Sequence, residues 1–247
     1  AIEYSKIIYD MFVRRELIKI SEETVDDVKL NDLDTNGQNI IEKTEKSLFD
    51  LAEKGSFNSS IIKFDEAMKQ TIDMASAAYK NEGGIVGVPT GLRDLDYKLG
   101  GLHQSDLIII AGRPSMGKTS LATNIAFNAA KDLQDSGKKS SIAFFSLEMS
   151  SEQLSTRIIS EQARISSNDI RQGRISDDQF DKFLETSKDI ADLPLFIDET
   201  PALSIAAMSN RARRIKRRSG LDMIVVDYIQ LMRGTTFNKD GRVQEIS

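Results

Sequence analysis

Leu107-Ile108-Ile109-Ile110-Ala111-Gly112-Arg113-Pro114-Ser115-Met116-Gly117-Lys118-Thr119-Ser120-Leu121 is the stretch on which the fold turns. Its first five residues form a continuous apolar run, the pattern of a strand buried on both faces of a parallel sheet. From Leu121 to Asp132 the pattern is helical. Between the two, Gly112 to Thr119 fits G-x-x-x-x-G-K-[ST] at every position, and a strand before with a helix after is the context that gives this motif meaning. Gly112 and Gly117 let the backbone curl, so that successive N–H groups from Ser115 to Thr119 point inward. Those donors and the helix N-terminus form an anion site. Lys118 reaches terminal phosphates, and Thr119 offers a hydroxyl to Mg²⁺. With Gly at about 7% of residues, a chance match in such a chain has odds on the order of one per cent. Gly112 to Ser120, with Arg113, Pro114 and Met116 included by position, is the candidate nucleotide-binding segment.

Outward from this loop the texture from Gly91 onward alternates. Ser141–Leu147, Leu195–Ile197 and Met223–Val226 read as strands. Glu152–Gln162, Asp177–Ile190 and Ser204–Arg218 read as helices. The alternation predicts a mostly parallel sheet covered by helices.

In such a sheet, ligands sit at the carboxyl ends of strands, and a phosphate-loop hydrolase needs a second Mg²⁺-directed carboxylate there. Asp227 follows Met223-Ile-Val-Val, a β-branched run suited to a central strand. Asp198 follows Leu195-Phe-Ile, but Pro194 cannot donate a ladder hydrogen bond, which demotes that strand to an edge or a later start. Asp227 is therefore chosen as the metal-directed acid, and Asp198 reads as a turn residue. Glu148 follows the strand ending at Leu147 and is placed at the same edge as Lys118 and Asp227. A carboxylate there can orient and deprotonate a water. It would also suit a helix N-terminus.

The remainder is bounded by composition. The chain has 247 residues, 40% hydrophobic and 29% charged, with a net charge of −5. That length allows one sizeable domain and an appendage. Cysteine is absent, so there is neither a disulfide framework nor a thiolate metal site, which fits a reducing compartment such as the cytoplasm. No apolar run approaches the ~18–20 residues of a membrane span. The ends, Ala1-Ile-Glu-Tyr4 and Gln244-Glu-Ile-Ser247, read as cuts within a longer chain.

Residues 1–57 read as the last part of a small helical domain, broken at Asn36-Gly37 and ending near Gly55. Residues 58–87 read as a linker. Its helix, Ser59 to Tyr79, carries one narrow apolar seam of Ile61, Phe64, Met68, Ile72, Ala75 and Tyr79. That seam packs within its own domain or docks on a neighbouring subunit. Residues 88–247 form the sheet domain.

Gly112-Arg-Pro-Ser-Met-Gly-Lys-Thr119, Phe145-Ser-Leu-Glu-Met-Ser150 and Val226-Asp-Tyr-Ile-Gln-Leu-Met232 together resemble the bacterial replicative DNA helicases of the DnaB family. Thr90-Gly-Leu-Arg-Asp-Leu-Asp96, Gly100-Gly-Leu102 and Ala212-Arg-Arg-Ile215 fit in order. The resemblance covers about Val88 to Ser247 and extends more weakly to Arg14–Ile18 and Lys46–Ala52. It implies a RecA-like P-loop NTPase core, α/β with a mostly parallel sheet, preceded by a helical N-terminal segment and linker helix. It implies ATP and Mg²⁺ as cofactors, with a homohexameric ring around single-stranded DNA moving 5′ to 3′. Its implied partners are primase and a helicase loader. By position, Lys118 and Thr119 take the phosphate and metal roles, Glu148 matches the catalytic glutamate, and Asp227 matches the second metal-directed carboxylate. The family's γ-phosphate-sensing glutamine, main DNA loops and basic finger lie beyond Ser247. The 247 residues alone are therefore expected to bind nucleotide but turn it over slowly.

Arg233 to Arg242 reads as a mobile loop whose Arg233, Lys239 and Arg242 could grip a DNA backbone, or as a solvated surface loop. The basic run Arg211 to Arg218 reads as a solvated helix face or subunit contact in preference to a DNA contact. His103, the single histidine, is assigned no chemistry and placed in an exposed turn. Two other functions share parts of this sequence. A RecA-like recombinase or processing ATPase would keep the loop and sheet. A non-hydrolysing docking module for a primase or loader would keep the helices.

Overall fold

The computed structural model describes residues 2–29, 37–55, 63–80 and 85–233. The chain divides into two compact units, residues 1–73 and 74–247.

In the first unit, α1 (Ile2–Lys29) and α2 (Gly37–Gly55) pack on each other. Thr24 and Thr44 face across the pair at 3.1 Å, and Lys43 Nζ donates to Asp27 Oδ2 at 2.5 Å. Leu51 is buried, while Ile7, Ile8, Met11 and Ile18 are more than half exposed. α3 (Phe64–Lys80) contains the division between the units. On it, Phe64, Met68, Ile72 and Tyr79 are exposed. The start expected at Ser59 lies outside the described residues.

The second unit is built on three parallel strands, β1 (Ile142–Ser146), β2 (Leu195–Asp198) and β3 (Met223–Asp227), in the order β2-β1-β3. β1 is the central strand, and all five of its residues are buried. Alternation sends Ile142 and Phe144 to one face, against Ala126, Ala129, Ala130 and Leu133 of α5 (Lys118–Asp135) and Leu154 of α6 (Ser151–Ala163). Ala143 and Phe145 face the other way, against Ala212, Met208 and Ile215 of α9 (Ile205–Ser219). The result is a helix–sheet–helix sandwich, the usual answer for a parallel sheet with two apolar faces. Two shorter elements, α7 (Ser167–Arg171) and α8 (Asp177–Asp189), pack on α6. A further helix, α4 (Arg93–Leu99), precedes the sheet.

The segment before α5 is held to it by polar contacts. Asp96 Oδ1 accepts from the Thr90 N–H and hydroxyl at 2.8 and 2.7 Å, and Asn128 Nδ2 donates to Thr90 O at 3.0 Å. Gly91 lies at φ +73°, and a Cβ there would stand 2.2 Å from Asn128 Nδ2. Glycine is needed on both counts.

Several expectations hold. Pro194 puts β2 at the sheet edge and delays its start to Leu195, and the Pro194 carbonyl still accepts from Ile142 N at 2.9 Å. His103 is exposed, with its ring 3.2 Å from Leu99 O.

Two do not hold. The apolar run Leu107–Ala111 forms no strand, and Leu107 and Ile109 are 87% and 79% exposed. A strand is defined by its ladder partner, which apolarity alone does not supply. And β3 is not central. Among the described residues it pairs on one side only, and Ile224 is 43% exposed.

Candidate nucleotide site

The direction of α5 follows from its connection. Residues 136–141 turn directly from its C-terminus into β1, with Ser136 N donating to Asp132 O and Lys138 N to Leu133 O. A helix that packs on the sheet and feeds the next strand by so short a turn runs antiparallel to that strand. Its N-terminus, with Lys118, therefore rises at the carboxyl end of the sheet, the end at which β1 leads to Glu148 and β3 finishes with Asp227.

This end of α5 differs from the other helix starts of the sheet domain. α6, α7, α8 and α9 each begin with a serine, Ser150, Ser166, Ser176 or Ser204, whose hydroxyl accepts from the backbone N–H three residues on. α5 instead begins at Gly117, at φ +84°, with no side-chain cap and no acidic residue in its first turn. Its opening amides are left to bind something else. Ser115 is also left-handed, at φ +63°, which curls the loop. Gly112 is not. A Cβ there would touch Lys118 Cγ at an ordinary 3.6 Å, so the conformational need falls on Gly117 and not equally on both glycines.

Lys118 Nζ donates to the carbonyls of Gly112 at 2.8 Å and Arg113 at 3.3 Å. Its ammonium is thus folded over the loop. A hollow of about 530 Å³ opens beside it, lined by Ile110, Ala111, Arg113, Met116 and Leu121. Thr119 is half-buried, and its carbonyl accepts from Thr123 Oγ1 at 2.7 Å. Arg157 Nη1 of α6 reaches Ser120 Oγ at 3.4 Å.

The β1–β3 register sets Asp227 beside the start of the turn that carries Glu148. Asp227 lies opposite Ser146, and Leu147 N donates to Asp227 O at 2.8 Å. Asp227 is 5% exposed, and its Oδ2 has no hydrogen-bond partner. A buried carboxylate oxygen left unpaired is costly unless something binds it. A divalent cation is a natural complement to such an oxygen. Glu148 is exposed at the tip of the turn after β1.

Asp198, the rejected alternative, is engaged elsewhere. Arg211 Nη1 donates to its Oδ2 at 2.5 Å, and Thr200 N to its Oδ1 at 3.0 Å. Burial pushes its carboxyl up, but the hydrogen bonds from Arg211 and Thr200 outweigh this and leave it below its ordinary value. Arg211 is thereby a structural cation, while Arg214, Lys216, Arg217 and Arg218 are exposed on α9. Arg233 is exposed, and its backbone N–H donates to Leu203 O at 3.1 Å. Lys239 and Arg242 lie outside the described residues.

Sequence reading missed Glu199. Its carboxylate accepts from Ser151 N, at the start of α6. That amide hydrogen bond, joined by one from the Ser151 side chain, holds its carboxyl below the usual range. The partners are 48 positions apart, and no local pattern joins them.

The fold is that of a RecA-like helicase ATPase domain. One solved ATPase domain superposes with a TM-score of 0.67 at 26% identity, over 76% of this chain and 64% of that one. A DnaB-like replicative helicase, solved in a study of its interactions with primase, superposes at 0.64 and 23% identity, over 99% of this chain and 55% of that one.

The family profile described as DnaB-like helicase C terminal domain matches residues 87–247, and the chain belongs to that family. The replicative DNA helicase DnaB of Rickettsia conorii is 43% identical over 251 residues, covering 100% of this chain and 51% of its own length. The replicative DNA helicase DnaC of Bacillus subtilis is 32% identical, covering 99% and 52%. The chain thus spans about half the length of these curated relatives.

Proposed function

We propose that this chain is the nucleotide-hydrolysing part of a replicative DNA helicase, working as a homohexameric ring on single-stranded DNA with 5′ to 3′ polarity. Residues 1–57 are read as the end of a helical N-terminal domain, 58–87 as a linker and 88–247 as the ATPase domain. Primase and a loader are the expected partners, and the cytoplasm the expected compartment. Among the described residues no helix is long and apolar enough to cross a membrane.

ATP is held by the amides of Ser115 to Thr119 at the uncapped start of α5, with Gly112 to Ser120 wrapping its phosphates. Lys118 leaves the Gly112 and Arg113 carbonyls for the terminal phosphates, where its charge offsets the negative charge that grows during transfer. Thr119 and Asp227 hold Mg²⁺, which when bound neutralises the phosphates and fixes their orientation. Glu148 orients a water and accepts its proton. Arg233, Lys239 and Arg242 are read as backbone contacts to DNA.

The observation that carries this reading is the unpaired Oδ2 of buried Asp227, one register step from the turn that bears Glu148. In the full-length protein Glu148→Gln abolishes ATP turnover and keeps ATP affinity, and strand displacement requires a 5′-tailed fork. Unchanged turnover in that variant, or preference for a 3′ tail, sinks the corresponding part of the reading.

A further inference from the structure

Glu148 stands on a four-residue turn, Leu147–Ser150, between β1 and α6. Its neighbours are tied down on every side. Leu147 N donates to the backbone of Asp227 at 2.8 Å. Ser150 and Gln153 form a reciprocal capping box at the start of α6. Ser151 N donates to Glu199, the residue just after β2. From beneath, Ser146 Oγ donates to the carbonyl of Met149 at 2.7 Å, closing the turn around Glu148.

Ser146 is 1% exposed at the end of a strand that otherwise reads Ile-Ala-Phe-Phe. Packing alone would be met by alanine there. What its hydroxyl adds is one bond to the backbone of the residue after Glu148. Glu199 is exposed, and its bond likewise ends one turn from Glu148. Neither side chain has a described contact with the loop from Gly112 to Ser120.

We infer that Ser146 and Glu199 are positioning residues. Ser146 closes the Glu148 turn onto the end of β1, and Glu199 ties the start of α6 to the end of β2, so that the carboxylate is held in one place beside the strand ends. The inference rests on reading Glu148 as the water-activating group. Proton transfer is steeply sensitive to placement: a misplacement of about 1 Å costs on the order of 100-fold. Loss of one anchor from a turn that retains its other ties costs less.

The test compares Ser146→Ala, Glu199→Ala and Glu148→Gln in the full-length protein. The readouts are steady-state ATP turnover, affinity for a non-hydrolysable ATP analogue, and melting temperature. Ser146→Ala is expected to lower kcat about 10-fold, with analogue affinity unchanged and a fall in melting temperature of only a few degrees. Glu199→Ala shifts kcat in the same direction. A purely structural serine would lower the melting temperature and leave the kcat of the folded enzyme intact.

Wild-type kcat in both alanine variants, with Glu148→Gln inactive, overturns the clamp alone. Full turnover in Glu148→Gln overturns the reading beneath it. If Ser146→Ala fails to fold, Glu199→Ala decides, because its side chain lies at the surface: lowered kcat at unchanged affinity supports the clamp, and wild-type kcat removes it.

Discussion

Replacing Asp227 by Asn should make the protein more stable and less able to respond to magnesium. The carboxylate is 5% exposed, and its Oδ2 has no partner. An unpaired buried polar atom costs about 1–3 kcal/mol, and more when charged. Asparagine keeps the shape and removes the charge, but its amide is still desolvated. The net gain for the ligand-free protein is therefore about 1 kcal/mol. For a domain of this size that raises the melting temperature by about 2–4 °C.

The two proteins are melted in EDTA and again with Mg²⁺ and a non-hydrolysable ATP analogue. At a hundredfold excess over Kd, wild type gains about 2.7 kcal/mol from the ligand. The variant loses the magnesium-dependent share of that gain. A variant that melts below wild type in EDTA and keeps the full magnesium-dependent rise would show that Asp227 is an ordinary structural residue.

Two further outcomes are expected. Arg211→Ala removes the hydrogen-bonded ion pair to Asp198 and costs about 1 kcal/mol at neutral pH, a modest figure because both side chains are partly exposed. The Asp198 carboxyl is depressed in the folded state, so its contribution is present above the ordinary carboxylate value and lost as pH falls through the lowered one. The stability difference between wild type and Arg211→Ala should accordingly shrink below pH 3.8; a difference that persists or grows there refutes the assignment. Phe144→Ala, at the centre of β1 and 1% exposed, should cost about 3–5 kcal/mol by denaturant unfolding, and less than 1 kcal/mol would mean that this layer is not packed as described.

What could be read from the sequence divides along physical lines. Helix starts were legible from the onset of a helical period. The starts read at Glu152, Asp177 and Ser204 fall within one residue of those of α6, α8 and α9, where a serine cap makes the boundary a local bond. The delay and edge position of β2 were legible because proline lacks a donor.

The short helices α4 and α7 were passed over, being too brief to show a period. Ser166, followed by Asp169, carried the signal for α7. Pairing was not legible. The run Leu107–Ala111 has the composition of a buried strand, yet no described strand pairs with it. For the site, residue types at motif spacing indicated Lys118, Glu148 and Asp227. The bonds that fix the Glu148 turn come from Glu199 and from a strand-end serine, and one of them spans 48 positions.

The serine-less start of α5 has a consequence for local motion. Among the described residues of the sheet domain, it is the one α-helix whose first turn is secured by neither a side-chain cap nor a nearby acid. Such a start is expected to fray more readily than its neighbours, with its front amides exchanging first in a hydrogen-exchange measurement. On the proposed reading a bound phosphate would supply the missing acceptor. Local ordering and ligand capture would then be the same event.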